Sequence, residues 1–377
     1  MKEVYINKIS KYLPNRPITN DEMEEKLGII NGKTSKGRRI VLRNNQIKTR
    51  YYAIDDSGNI THNNAQLTKE AIVGLCDDKF KAEDIEILSC GTGSPDQILP
   101  SHAAMVHGFL KNGNVEINSP SGACCSGMNA LKYGYLSVKA GQTNNAVCTG
   151  SERISSWMMS YNFEEEIQHL QTLEDNPILA FNKDFLRWML SDGAGAFLLE
   201  NEPKGNHPLK IEWMEGYSYA HEIEACMYAG GDKLEDGFLK PWSEYPPDQW
   251  SKKSLFAIKQ DVKLLSKNIL VKGVESLKMA IEKNNLKPED INYYLPHISS
   301  NYFKESLYKE MITQGVEIPW EKWFMNLTKV GNIGAGSIYI MLEELKNSGK
   351  LKKGDKILLS VPESARFSYA YALLTVC

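Results

Sequence analysis

Two widely separated stretches of this 377-residue chain follow one plan. In the first, a helically spaced apolar segment over residues 67–76 leads through Lys81-Ala82-Glu83-Asp84-Ile85 into a strand-like run over residues 85–90. In the second, a longer amphipathic segment carrying Ile269, Val274, Leu277 and Ala280 leads through Lys287-Pro288-Glu289-Asp290-Ile291 into a run over residues 291–295. The parallel continues downstream, where small residues at 121–127 (SGACCSG) and 331–337 (GNIGAGS) each open a helix. Gly141 and Gly349 end those helices, and strands over residues 146–149 and 356–361 follow. We read this as one α/β unit used twice, with residues 1–200 as one half and residues 201–377 as the other. Strands alternating with helices predict largely parallel sheets covered by helices, with sites at the strand ends where the halves meet.

Chemistry concentrates at the first small-residue turn. A short apolar run (Val115, Ile117) meets it, and apolar residues then recur at Met128, Leu131, Tyr135 and Val138, so Cys124 and Cys125 sit where a helix begins. Free N–H groups and the helix dipole at such a place stabilise a thiolate, which is how a cysteine becomes a nucleophile at neutral pH. The competing reading is packing, because cysteine is among the most commonly buried residue types. The seven cysteines are odd in number and lack a repeated C-x-x-C pair, which argues against zinc and against a disulfide framework.

The second half supplies two polar residues at equivalent places. His297 follows the run Tyr293-Tyr294-Leu295-Pro296, and Asn332 precedes the helix that mirrors the cysteine helix. Taken singly, the histidine reads as structural and the asparagine as a helix cap. If the halves pack as the repeat predicts, Cys125, His297 and Asn332 converge at one strand-end junction. Between the halves, residues 151–190 are rich in Trp, Met, Phe and Glu with no clear period, which predicts either a dimer contact or the wall of an apolar pocket; Trp157 and Phe163 are the candidate wall residues.

The formal net charge of −3 gives no basic excess to point to nucleic acid. No stretch is long and apolar enough to span a bilayer and the first residues lack a signal-peptide core, so a cytoplasmic protein is expected. Residues 32–52 are nevertheless basic, with Arg38, Arg39, Arg43 and Arg50 among their cations. Either a solvated face or a surface for an anionic partner fits them.

In order and spacing these motifs resemble the ketoacyl-acyl carrier protein synthase III family of the thiolase-like superfamily. The resemblance runs almost end to end: YLPNRPITNDEME, IKTRYY, ILSCGTGSPDQILPSHAA, CCSGMNAL, SDGAGAFLL, PHISSN, VGNIGAGSI and KKGDKILLSVPESARFSYAYALL. It implies a duplicated α-β-α-β-α five-layered fold, no cofactor, acyl carrier protein or acyl-coenzyme A thioesters as partners, and a homodimer. It makes Cys125 rather than Cys124 the nucleophile, because the family's cysteine is followed by a small residue and then glycine, as in Cys125-Ser126-Gly127. On this resemblance the thiolate takes an acyl group from a thioester. His297 and Asn332 donate to the carbonyl of a second thioester and stabilise its enolate, formed by loss of carbon dioxide or a proton. That carbanion attacks the acyl-cysteine in a Claisen condensation, with the Cys125 N–H in the oxyanion hole.

Departures from the family pattern narrow the reading. Members that accept a coenzyme A primer usually carry a tryptophan near the basic segment, and residues 28–52 contain none, which favours a carrier-bound primer. The family's glycine-rich C-terminal loop is replaced by Ser364-Ala365-Arg366-Phe367, so Arg366 and Phe367 are expected to line the substrate pocket. Gly93 stands where related hydroxymethylglutaryl-coenzyme A synthases have a glutamate base, which argues against that activity. The long central segment resembles secondary-metabolite ketosynthases, such as the dialkylresorcinol- and aryl-polyene-associated branch. An acyltransferase to oxygen or nitrogen, a thiol hydrolase and a non-catalytic partner subunit are the competing readings; Arg38, Arg39, Arg43 and Arg50 are the expected carrier-docking surface.

Overall fold

A computed structural model of the protein describes residues 2–32, 37–162 and 186–377. Its principal strands are β1 (Tyr5–Tyr12), β2 (Ile87–Thr92), β3 (Glu116–Asn118), β4 (Asn145–Glu152), β5 (Gly193–Glu200), β6 (Leu209–Ser218), β7 (Tyr293–Pro296), β8 (Lys356–Glu363) and β9 (Ser368–Val376). They form a nine-stranded sheet in the order β7-β8-β9-β6-β1-β5-β4-β2-β3. The order repeats on either side of the β1–β6 contact. β1 lies against β5, followed by β4, β2 and β3, while β6 lies against β9, followed by β8 and β7. The counterpart of β3 in the second half is a single parallel bridge between Tyr294 and Trp323. The expected division at residue 200 falls at the end of β5.

The sheet is mixed. β2 runs parallel to β3 and β4, and β7 parallel to β8, where a helix crosses over between neighbours. β5 and β9 are antiparallel to both of their neighbours. β1 and β6 share only the pairs Tyr5–Lys210 and Ile6–Leu209, so the strands form two leaves joined at one corner.

Helices α1 (Met23–Leu27) and α2 (Arg38–Asn45) precede the first leaf, and α3 (Asn64–Val73) and α4 (His102–Leu110) cover its outer side. α5 (Cys125–Ala140) lies between the leaves, α6 (Val262–Lys283) and α7 (Lys304–Gln314) cover the second leaf, and α8 (Ser337–Asn347) joins α5 in the middle. This is the five-layered thiolase-like arrangement. Local chemistry sets the ends of these elements. Asn63 and Gln66 form a capping box at the start of α3, and the Asp261 side chain accepts the Leu264 N–H at the start of α6. Gly141 closes α5 in the left-handed region at φ 79°. The two Glu-Asp-Ile repeats form matching 3-10 turns, Ala82–Asp84 and Pro288–Asp290, just ahead of β2 and β7. Among the described residues no helix is long and apolar enough to cross a membrane.

The site is positioned by a close approach in the middle layer. A Cβ on Gly127 of α5 would lie 2.3 Å from the Ala335 carbonyl oxygen, and one on Gly150 of β4 would lie 2.1 Å from the same atom. Hydrogen alone fits there, so the start of α5 and the loop before α8 are pressed together. Gly150→Ala should therefore lower unfolding free energy by about 1–3 kcal/mol or more, because the atom it meets is backbone and cannot swing aside. A shift of the denaturant midpoint at unchanged slope checks this; an unchanged midpoint would show that the layer can open at little cost.

Candidate active site

A cavity of about 340 Å3 opens at the junction of the two halves. Gly93, Cys124, Glu152, His297, Asn332 and Gly334 line its polar end. Trp157, Leu265, Val274, Leu277, Phe303 and Tyr369 are among the residues of its apolar remainder. Among the described residues no group of three or more His, Cys, Asp or Glu side chains is placed to hold a metal ion.

The adjacent cysteines have different surroundings. Cys125 is absent from the cavity wall, and its Sγ lies 3.3 Å from the Val361 carbonyl oxygen and 3.6 Å from that of Ser368. It is the first residue of the stripe Cys125, Met128, Leu131, Tyr135 and Val138, which is buried in the middle-layer core. Cys124 is one residue earlier, rotated about 100° around the helix, and lines the cavity. Cys124 therefore shares the cavity wall with His297 and Asn332, and Cys125 lies behind it, its thiol close enough to the Tyr369 and Tyr371 hydroxyls to act on them electrostatically.

The electrostatics at this turn also differ from expectation. The Glu363 carboxylate accepts the backbone N–H groups of Ala123 at 3.0 Å and Cys125 at 2.9 Å. The positive end of α5 is thereby occupied by a carboxylate belonging to the chain itself, and the Cys125 N–H expected in an oxyanion hole is already engaged. Burial first, then the Glu363 and Glu152 carboxylates, push the Cys124 thiol up rather than down. The resting cysteine is a thiol.

Its two companions are neutral donors. Burial pulls His297 down to about 4, so its imidazole is uncharged near neutrality. Asn332 is fixed by its backbone, which donates to Met189 O at 2.9 Å and accepts from Ser191 N–H at 2.9 Å. Its Oδ1 accepts the Gly334 N–H at 2.9 Å, which leaves the Nδ2 hydrogens as the free end of the amide among the described residues.

Comparison with known proteins places the chain among condensing enzymes. Residues 281–374 match the family described as 3-oxoacyl-[acyl-carrier-protein (ACP)] synthase III C terminal, and residues 78–204 match the beta-ketoacyl synthase N-terminal domain. Together the two matches span more than half of the chain. A beta-ketoacyl-[acyl-carrier-protein] synthase III of Chlorobaculum tepidum is 25% identical over 366 residues, which covers 94% of each chain. The chain belongs to the ketoacyl synthase III-like condensing enzymes. Among solved structures, AbyA1, a tetronic acid condensing enzyme, superposes with a TM-score of 0.77 at 18% identity over 99% of both chains. OleA of Xanthomonas campestris gives 0.73 at 19% identity over 99% of this chain and 98% of its own. These two likenesses are of fold.

Several expectations for this condensing enzyme need correction. Arg366 is exposed, and its Nε donates to the Ile223 carbonyl at 3.2 Å, outside the cavity. Phe367 is fully buried at φ 54° and packs in the second leaf's core, where it holds the turn between β8 and β9. Trp157 does line the cavity, and Phe163 lies outside the described residues. Of the four arginines expected on a docking surface, Arg50 is fully buried, donating to Asn20 Oδ1 at 2.8 Å and Trp188 O at 3.3 Å. Arg38 pairs with Glu24 at 2.7 Å. Arg39 and Arg43, one turn apart on α2, remain exposed.

Glu152, the last residue of β4, was not anticipated. Its Oε1 accepts the N–H groups of Gly93 at 3.0 Å and Ala335 at 3.2 Å, and its Oε2 accepts Ser94 Oγ at 2.5 Å and Thr92 Oγ1 at 3.3 Å. It thus ties a loop of the first half to the loop carrying Asn332. Burial outweighs these bonds and pushes its carboxyl up to about 7. The folded protein keeps this proton where the unfolded chain has released it. The resulting stabilisation is complete below about pH 4.5 and is lost as pH rises through about 7. Stability of the wild type relative to Glu152→Gln should fall by up to about 3 kcal/mol across that interval. Denaturation series at several pH values test this, and a pH-independent difference would remove Glu152 as the titrating group.

Proposed function

We propose that this condensing enzyme carries its acyl group on Cys124 and joins it to a malonyl or β-ketoacyl thioester with His297 and Asn332 as the paired donors. The observation that carries the reading is that one thiol, one neutral imidazole and one amide share the polar end of a cavity whose remainder is apolar. Because Cys124 rests as a thiol, a base is needed, and neutral His297 can take its proton as sulfur attacks the donor thioester. The donor's carbon–sulfur bond breaks, and the proton leaves with the carrier thiol. When the second thioester loses carbon dioxide or a proton, the His297 and Asn332 hydrogens bind the enolate oxygen. Its α-carbon attacks the acyl-cysteine carbonyl, the carbon–sulfur bond to Cys124 breaks, and the departing thiolate takes a proton from solvent or, where no carbon dioxide leaves, the proton the α-carbon has given up.

The absence of a tryptophan from residues 28–52 supports a carrier-bound primer over a coenzyme A primer. Secondary metabolism, with dialkylresorcinol formation as its narrower form, is the setting we assign. A homodimer of two-half protomers in the cytoplasm belongs to the same reading.

Intact-mass measurement after incubation with acyl-carrier and acyl-coenzyme A donors tests the nucleophile. The adduct should persist in Cys125→Ala and vanish in Cys124→Ala; the opposite pattern would restore Cys125. Discharge by a malonyl or β-ketoacyl thioester should give a longer carbon chain, whereas discharge only to water or an alcohol would favour a hydrolase or an acyltransferase. Reversing charge at Arg39 and Arg43 should slow transfer from carrier-bound donors by about tenfold at low salt and spare small thioesters. Equal loss with both donors would remove α2 as the docking surface.

A further inference from the structure

The cavity extends far beyond what the reacting carbons need. Along α6 its wall runs from Leu265 to Leu277, about 18 Å at the helical rise. An apolar cavity left unfilled costs stability, so its persistence here calls for an occupant. Two tyrosines of β9 hold the helix off the sheet. Tyr369 Oη donates to the Ile269 carbonyl at 3.0 Å, and Tyr371 Oη donates to the Gly273 carbonyl at 2.8 Å. Tyr371 also bonds Ser276 Oγ at 2.8 Å, and Tyr294 Oη donates to Ser360 Oγ at 3.2 Å. The hydroxyls of Tyr294, Tyr369 and Tyr371 are therefore satisfied by the protein, and Gln260, also in the wall, donates its Nε2 to Ser364 Oγ at 2.9 Å. Among the described residues no lysine, arginine or aspartate lines the cavity, and Glu152 and His297 stand at its polar end.

In the middle of this wall is Gly273. Glycine inside a helix is unfavourable relative to alanine, and this one lies in the interior of the 22-residue α6. A Cβ there would lie 3.1 Å from Cε1 of the Tyr369 ring, and both residues line the cavity, so a larger side chain would crowd it at this point. We propose that the arm beneath α6 takes the unfunctionalised hydrocarbon tail of the acyl group and that Gly273 sets how long that tail can be. This rests on the acyl-enzyme reading above and adds the substrate class: saturated or branched chains well beyond acetyl, with no polar terminus.

The test is acylation of Cys124 in the full chain by a ladder of saturated acyl thioesters from acetyl to hexadecanoyl, read by intact mass. The wild type should favour the longer donors. Gly273→Leu should slow the longest donors by about tenfold or more while acetyl stays within about twofold. Leu277→Ala, which widens the same arm, should move the preference toward longer or branched chains. To separate this from the chemistry, displacement of a fluorescent fatty acid is measured in Cys124→Ala with and without Gly273→Leu, and the second substitution should abolish long-chain binding. A length profile that neither variant moves, with binding unchanged, overturns the proposal even if acylation proceeds. Absence of acylation by any donor, with fatty acid still displaced competitively and Gly273-dependently, counts against the acyl-enzyme reading and leaves the hydrocarbon site standing.

Discussion

The Ala335 carbonyl, wedged against Gly127 of one element and Gly150 of another, fixes the geometry on which the rest of the site depends. A thiol at the start of α5 and an amide in the loop before α8 come from opposite halves of the chain. They can meet only if the two helix starts approach more closely than side chains permit. Tyr339 reinforces the contact by donating its hydroxyl to the Gly127 carbonyl at 2.8 Å. Glu152 does so by accepting N–H groups from Gly93 in the first half and Ala335 in the second. The groups proposed to react are thus held by steric exclusion and by a buried carboxyl, both properties of the middle layer.

That closeness has an electrostatic consequence. The first turn of a helix ordinarily offers free N–H groups to an anion, and a nucleophilic cysteine placed there would ionise readily. Here Glu363 reaches up from the end of β8 and accepts the N–H groups of Ala123 and Cys125, and burial first, then the neighbouring carboxylates, push the Cys124 thiol up. The thiol stays protonated until a donor enters and a base takes the proton. Burial keeps the His297 imidazole uncharged, so in the proposed reaction it can only hold a proton transiently, between the thiol that gives it up and the leaving thiolate that takes it.

Much of this was legible in the chain. The twin Glu-Asp-Ile segments foreshadowed matching 3-10 turns and strands, and the small-residue runs at 121–127 and 331–337 foreshadowed the two helices between the leaves. Which of the two cysteines lines the cavity was also encoded, in helical phase. Cys125 falls in register with Met128, Leu131, Tyr135 and Val138 and so had to face the core, whereas the following Ser-Gly pair pointed the other way. What could not be read locally were contacts made across long separations. Glu363 lies 238 residues from the Cys125 N–H it occupies. Arg50 is buried against Trp188, 138 residues on, so its charge could not be assigned to a surface from composition. Arg366 and Phe367 occupy a tight turn whose backbone sends the arginine outward and the aromatic ring inward, the reverse of what a loop near a pocket suggests.

The two ends of the cavity are built by different means. Its polar end depends on both halves and on backbone contacts that tolerate no added atom, whereas the arm beneath α6 is walled mainly by the second half, by α6 and the strands β8 and β9. Leu265, Val274 and Leu277 line the arm without taking part in the contacts at Ala335 and Glu152. A fold divided in this way can hold its chemistry constant while the length of the acyl group varies. Gly273 in the middle of α6, where a Cβ would already meet the Tyr369 ring, is the point on this wall at which that length is proposed to be set.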